Sequence, residues 1–368
     1  MLQRTVRDGF FWLMVLCLFV LTGCFPFEEE EPAELPDSED ASVVAPDIEI
    51  NENYYQGVVP YEPSQTRGRL YSSVNHRLDA DHVELGLLEI AQDYFPVDNH
   101  LFREGQLIAS SDLDEWLQTK SEDHPDGLNP EDAPGRVLVH ILEHNYMDEQ
   151  GESLAGIVIG LSLASTYEEI INEETEETQT MYFGEEELRI YGQAMADQLV
   201  QRLRSNPEAE QIPIIVALYQ LEQQNELAPG NFLSVGEAIE GSTEITNWKT
   251  INEFFLVFPS GPLEEFDPEL SHAFSQLRGE VREYFPHNLG LVGTGRFLEG
   301  QLVELTLEAT AEFASKTEVI QLTQFLGGKA VEIFPEEVHL NLYVQTVHQP
   351  QSVFVRKIGE EPMMHIYR

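Results

Sequence analysis

The chain has 368 residues, enough for two domains of ordinary size, and 42% of them are apolar, so a sizeable core is available and global disorder is excluded. Asp and Glu number 66 against 20 Lys and Arg, a formal net charge of -46. A surface that acidic repels nucleic acid and anionic lipid headgroups, and it suits a salty or alkaline medium in which screening relieves self-repulsion.

At the start, Arg4 and Arg7 precede an apolar run from Phe10 to Leu21, which closes in Leu21-Thr22-Gly23-Cys24. A basic start and a short apolar centre form an export signal, and the run is short of the about 20 apolar residues of a spanning helix. Leu-Thr-Gly-Cys has the form of a bacterial lipobox, where a lipid transferase acts on the cysteine sulfur and signal peptidase cuts just before it. On this reading residues 1–23 are a lipoprotein signal peptide, and Cys24 is the lipidation site that ties the chain to the outer face of the cell membrane. Cys17 leaves with the signal, so no disulfide forms within the mature chain. An uncleaved anchor is the alternative. Residues 24–53, rich in Glu, Asp and Pro, read as an acidic disordered tether.

The fold is expected from residue 54, in two α+β halves, 54–245 and 246–368, with mixed or antiparallel sheets and packed helices. An extended segment with turns leads to a helix capped at Asp81, whose stripe is Val83, Leu87, Ala91 and Tyr94 and which stops before Pro96. "SSDLDEWLQTK" reads as polar surface, and "RVLVHILEH" and "SLAGIVIGLSLAST" as buried strands. An acidic loop follows around residues 168–185, then a helix from Gly184 to Arg204 and the strand "IPIIVALYQL". In the second half Asp267 and Pro268 open a helix ending at Pro286. "QLVELTLEATAEF" is a strand, and a capping box from Ser315 to Glu318 opens a helix through Leu326. Strands are expected around "AVEIFP", "VHLNLYVQTV" and "SVFVRKI". "YFP" followed by "EGQL" occurs at Tyr94 to Leu107 and again at Tyr284 to Leu302, the trace of a weak internal duplication.

Few motifs carry chemistry. His140, Glu143 and His144 fit the inverted zinc-peptidase pattern H-x-x-E-H, which needs a helix to bring both imidazoles to one metal. The β-branched alternation around them favours a strand, on which the two histidines stand about 13 Å apart, so the metal reading is a minor alternative. "GLVGTGRFLEG" has Leu298 where a dinucleotide loop needs glycine, and no G-x-S-x-G occurs. No cofactor and no catalytic residue is assigned. Arg67, Arg69 and Arg77 fall within eleven residues of a chain otherwise poor in basic groups. With Tyr54, Tyr55 and Tyr61 beside them, Arg67 and Arg77 form the candidate binding surface, suited to a peptide or glycan of the cell envelope. The competing account is that these arginines pair with internal carboxylates and the tyrosines clip the segment to the core.

The lipobox, the acidic tether and "YYQGVVPYEPSQTRGRLYSSVNHRLDADHVELGLLEIAQDYFP" together resemble the CamS family, lipoproteins of Gram-positive bacteria connected with sex-pheromone production. The likeness continues through "FREGQLI", "DGLNP", "HILEHNYM", "GIVIGLSL", "PGNFLSVGEAI" and "KTEVIQLTQFL". In that family residue 144 is not a histidine by rule, which counts further against zinc. The resemblance implies no enzyme activity. It implies instead a lipid-anchored protein with a binding module of unknown ligand, and a signal peptide whose apolar end, within "LCLFVLTG", is the source of a pheromone peptide. A cell-envelope hydrolase with an unrecognised site and a purely structural surface lipoprotein are the alternatives.

Overall fold

The computed structural model describes residues 43–44, 54–67, 69, 76–172, 177–224, 226–285, 289–313 and 315–368. The signal segment, Cys24 and most of the expected tether lie outside them. All the elements below belong to one compact unit, Ser42–Arg368.

In chain order the strands are β1 (Val43–Val44), β2 (Gln56–Val59), β3 (Leu101–Glu104), β4 (Leu138–Met147), β5 (Leu154–Ala164), β6 (Thr166–Asn172), β7 (Glu177–Tyr182) and β8 (Ile214–Leu221). They continue with β9 (Asn231–Ala238), β10 (Thr246–Thr250), β11 (Glu253–Phe258), β12 (Gly290–Leu298), β13 (Gln301–Thr310), β14 (His339–Gln345), β15 (Pro350–Arg356) and β16 (Met363–Ile366). The helices are α1 (Ala80–Gln92), α2 (Ser110–Trp116), α3 (Glu185–Leu203), α4 (Gly261–Phe266), α5 (Pro268–Tyr284) and α6 (Lys316–Ile333).

Eight strands make the first sheet, in the order β1-β2-β3-β4-β5-β8-β9-β10, and six make the second, β11-β12-β13-β14-β15-β16. The α+β expectation holds. The apolar runs of β5 and β8 are continuous because both faces are covered. Ile157, Ile159 and Leu161 of β5, with Ile214, Val216 and Leu218 of β8, pack into a core with Leu188, Met195 and Leu199 of α3. On the opposite face Val158, Ile215, Ala217 and Tyr219 meet Val83, Leu87 and Ala91 of α1. The second sheet is covered by helices on one face: Leu305, Leu307 and Ala309 of β13 join Phe274 and Leu277 of α5 and Leu322 and Leu326 of α6. Its other face carries the alternate residues Glu304, Thr306 and Glu308.

The two sheets repeat one topology. From β3 to β10 the neighbours run antiparallel, antiparallel, parallel, antiparallel, antiparallel, with α3 crossing between the parallel pair β5 and β8. From β11 to β16 the same series recurs, with α6 crossing between β13 and β14. The repeated words do not mark this repeat. The first "EGQL" follows β3, the opening strand of its series, whereas the second lies in the turn between β12 and β13, the second and third strands.

Several elements differ from the sequence reading. The α1 cap is Asp79, whose side chain accepts from the His82 amide at 3.4 Å, two residues before the expected Asp81. "SSDLDEW" forms α2, because Leu113 is an anchor buried to zero exposure among polar neighbours. The acidic loop is a hairpin, β6 paired antiparallel with β7. "AVEIFP" is not a strand; its first four residues are the end of α6, which runs seven residues past Leu326. Gly327, just past the expected end, is a notch within the helix: a Cβ there would lie 2.7 Å from the Phe354 ring. "GLVGTGRFL", for which the sequence reading named no element, is β12. Within the expected tether, Val43 and Val44 pair antiparallel with Val59 and Val58.

α1 also touches the second sheet. His82 lies edge-on to Phe255, with centroids 4.9 Å apart. Glu253, at the entry to β11, accepts from the Phe232 amide at 2.8 Å and from Arg296 Nε at 2.6 Å, and Arg296 reaches Glu89 of α1 at 2.8 Å.

Candidate functional site

The segment after β2 folds back over β3 and is held by one carboxylate. Glu104, the last residue of β3, accepts from the Tyr61 hydroxyl at 2.6 Å, the Ser64 amide at 2.6 Å and Arg67 Nε at 3.2 Å. The Glu104 side chain is only 11% exposed and forms an ion pair with Arg67, whose own side chain is half exposed. The Arg67 guanidinium also lies 5.8 Å from the centre of the Tyr61 ring.

The other candidate residues go elsewhere. Tyr55 is clipped to the core: its hydroxyl donates to the Phe95 carbonyl at 2.5 Å and its ring meets Tyr146 edge-on. Arg77 donates to the carbonyls of Glu226 and Ala228 at 3.0 and 3.2 Å, fastening the β8–β9 connection. Tyr54 is exposed. The structure therefore brings Tyr61 and Arg67 together and leaves Tyr54, Tyr55 and Arg77 outside that group.

Beneath Arg67 lies a cavity of about 190 Å³. Leu88 of α1, Phe102 of β3, and Leu142 and His144 of β4 form its apolar walls, with Glu143 adjoining. Ser64, Arg67, Glu84 and Glu104 bring polar groups to it. His144 stands opposite Glu104 in the β3–β4 ladder, and its ring meets Phe102 edge-on at 5.0 Å. Neither of its ring nitrogens has a hydrogen-bond partner among the described residues, and Nδ1 is sealed from solvent. Burial without a partner pushes the imidazole down to about 3, so the ring is neutral.

Glu143 projects to the opposite side of β4. It accepts from three successive amides, Gln106 at 3.1 Å, Leu107 at 3.0 Å and Ile108 at 2.9 Å. Burial raises its pKa, and those amides oppose the rise. Gly105 is required here, since a Cβ would lie 2.4 Å from that of Glu143. His140 donates from Nδ1 to the Arg69 carbonyl at 2.6 Å. The two histidines and the glutamate thus lie on one strand, with Glu143 on the opposite face from His144, His140 and Glu143 engaged by separate partners and His144 by none, so the metal triad is not assembled. Among the described residues no group of three or more His, Cys, Asp or Glu can hold a metal ion.

Glu84, Glu104 and His144 were not legible as site residues. Among 66 acidic residues nothing distinguishes Glu104, and His144 drew attention only through a zinc motif it does not serve.

A family profile described as CamS sex pheromone cAM373 precursor matches residues 61–362. Among solved structures the fold is similar to a sex pheromone precursor from Lactobacillus salivarius subsp. salivarius UCC118, with TM-score 0.78 and 24% identity over 89% of this chain and 99% of that one. It is also similar to the C-terminal domain of the sex pheromone staph-cAM373 precursor from Staphylococcus aureus, with TM-score 0.68 and 24% identity over 78% of this chain and 96% of that one. No curated protein matches significantly.

Proposed function

The chain belongs to the CamS family of sex pheromone precursors, and on that premise we propose that it is a lipid-anchored protein of the outer membrane face whose folded part is a binding module. The cavity under Arg67 carries the binding part of this reading: it is a preformed hollow whose wall includes a buried imidazole lacking a partner. An unsatisfied buried polar group costs stability, and a ligand that hydrogen-bonds to it removes that cost. The anchoring part rests on Leu21-Thr22-Gly23-Cys24. No helix among the described residues is long and apolar enough to cross a membrane. Labelling with a radioactive fatty acid tests it: wild type takes up label and Cys24→Ala does not, and label persisting in the variant refutes the anchor.

The same premise supports a second product, because the matching family is described as a pheromone precursor. The discarded signal ends in "LCLFVLTG", an apolar stretch of peptide length. Mass spectrometry of culture medium should find a fragment of it that disappears with Cys24→Ala, where cleavage fails. Its absence from wild-type medium refutes this reading.

A further inference from the structure

We propose that the cavity between α1 and the β3–β4 ladder takes a primary ammonium group carried on an apolar body about the size of one ring. This rests on the reading of the folded part as a binding module, and the charge and size of the cavity supply the class of ligand.

Size comes first. At about 190 Å³ the cavity is a little larger than the roughly 150 Å³ apolar cavity known to take up benzene. It is below the range of drug-sized sites, so one ring or a short aliphatic chain fills it. Leu88, Phe102 and Leu142 offer that body an apolar wall.

Charge selects the head group. Arg67 and Glu104 neutralise each other in their ion pair, with Tyr61 and the Ser64 amide completing the Glu104 shell. Glu143 turns its carboxylate away to the amides of residues 106–108, and Glu84, half-buried on α1, has no hydrogen bond or ion pair among the described residues, so the groups facing the cavity carry one negative charge in excess. The field of a chain with net charge -46 adds to it. An ammonium meets this charge; a carboxylate is repelled by Glu84 and finds Arg67 already engaged. The neutral His144 ring does not oppose a cation, and Nε2, the ring nitrogen that is not sealed, is open to accept one of the three ammonium N–H bonds in the tautomer that protonates Nδ1.

The test uses the full chain in mild detergent at pH 7, with NMR of the His144 ring C–H signals, assigned by their loss in His144→Gln. Three probes share one ring and differ in charge: benzylamine, benzyl alcohol and benzoate. Benzylamine is expected to shift the His144 signals saturably and to bind at least about ten-fold more tightly than the other two. Glu84→Gln, an isosteric change on a half-exposed helix face, should bring benzylamine down to the level of benzyl alcohol and leave benzyl alcohol unchanged. Equal binding of benzylamine and benzyl alcohol, or unaltered benzylamine binding in Glu84→Gln, overturns the cationic class while leaving a binding cavity. Preference for benzoate overturns it in favour of Arg67 as the anchor. If no probe moves the His144 signals, the cavity holds only water, and the binding-module reading falls with the proposal.

Discussion

Replacing Arg204 by methionine should be among the most destabilising single changes in this protein. Arg204 caps α3 and is 8% exposed. Its Nε donates to the Ser242 carbonyl at 2.8 Å, Nη1 to Ala209 and Ile212, each at 2.5 Å, and Nη2 to Ile239 at 2.9 Å and Ala238 at 3.3 Å. The planar fork thereby closes the turn from α3 into β8 and ties it to the end of β9. Methionine keeps most of the stem and removes every donor. A hydrogen bond to a charged group contributes about 1.5–3 kcal/mol net, but these five share one guanidinium whose desolvation opposes them. The expected loss is therefore about 3–5 kcal/mol, the range found when one partner of a buried charged contact is deleted. With a urea slope of about 3 kcal/mol per molar, the midpoint should fall by at least about 1 M. Arg204→Lys should recover less than half, because one ammonium cannot span five carbonyls. A midpoint shift under about 0.3 M for Arg204→Met would refute the reasoning.

Three further outcomes are expected. Arg296→Ala should cost about 3 kcal/mol in urea melts, because the Glu253 side chain, 1% exposed, loses its ion-pair partner; additive losses in the Arg296→Ala, Glu253→Gln double variant would show that the two do not interact. His144 has a folded pKa of about 3, below its unfolded value, so the unfolded chain binds the extra proton and stability falls as pH drops from about 6.5 toward 3. His144→Phe should flatten that part of the curve, and equal losses of Tm in both proteins between about pH 7 and pH 4.5 would exclude His144 as a source. With net charge -46, Tm should rise as NaCl increases from about 10 mM to about 500 mM, and a flat or falling Tm would contradict a role for carboxylate repulsion.

The buried strands were legible because β5 and β8 are apolar on both faces, and no other element reads that way at such length. Two helices with side-chain caps were equally clear: Asp267 and Ser315 cap α5 and α6 as read. What failed were elements whose physical cause lies elsewhere in the chain. α6 continues past the expected Leu326 through Gly327, whose clearance for Phe354 depends on β15. The β6–β7 hairpin was hidden by its acidic residues, which in so acidic a chain do not distinguish loop from strand. The candidate surface was half legible for the same reason. Arg67 lines the cavity and Tyr61 is tied to it through Glu104, while Arg77, ten residues on, serves carbonyls contributed by residues 226 and 228. Nothing local separates these two arginines.

Excess negative charge also governs how the interior handles ions. The buried carboxylates described here take backbone N–H groups as partners: Glu143 those of residues 106–108, Glu104 that of Ser64 and Glu253 that of Phe232. Each holds a connection to a neighbouring strand; Glu143 does so on amides with no cation beside it, whereas Glu104 and Glu253 add an ion pair to Arg67 and Arg296. The arginines answer the complementary need. The carbonyls at a helix C-terminus have no intrahelical donor, and the helix dipole makes that end negative. At that end Arg204 meets carbonyls of the turn that follows α3, those of Ala209 and Ile212, and Arg356, from the end of β15, meets the carbonyls of Phe334, Pro335 and Val338 after α6. Both turns precede the parallel strand of their sheet, at the same point in the repeated topology, yet one arginine comes from the helix and the other from a strand 22 residues beyond the Phe334 carbonyl it binds. The repeat therefore preserves the carbonyl problem rather than the residue position that solves it.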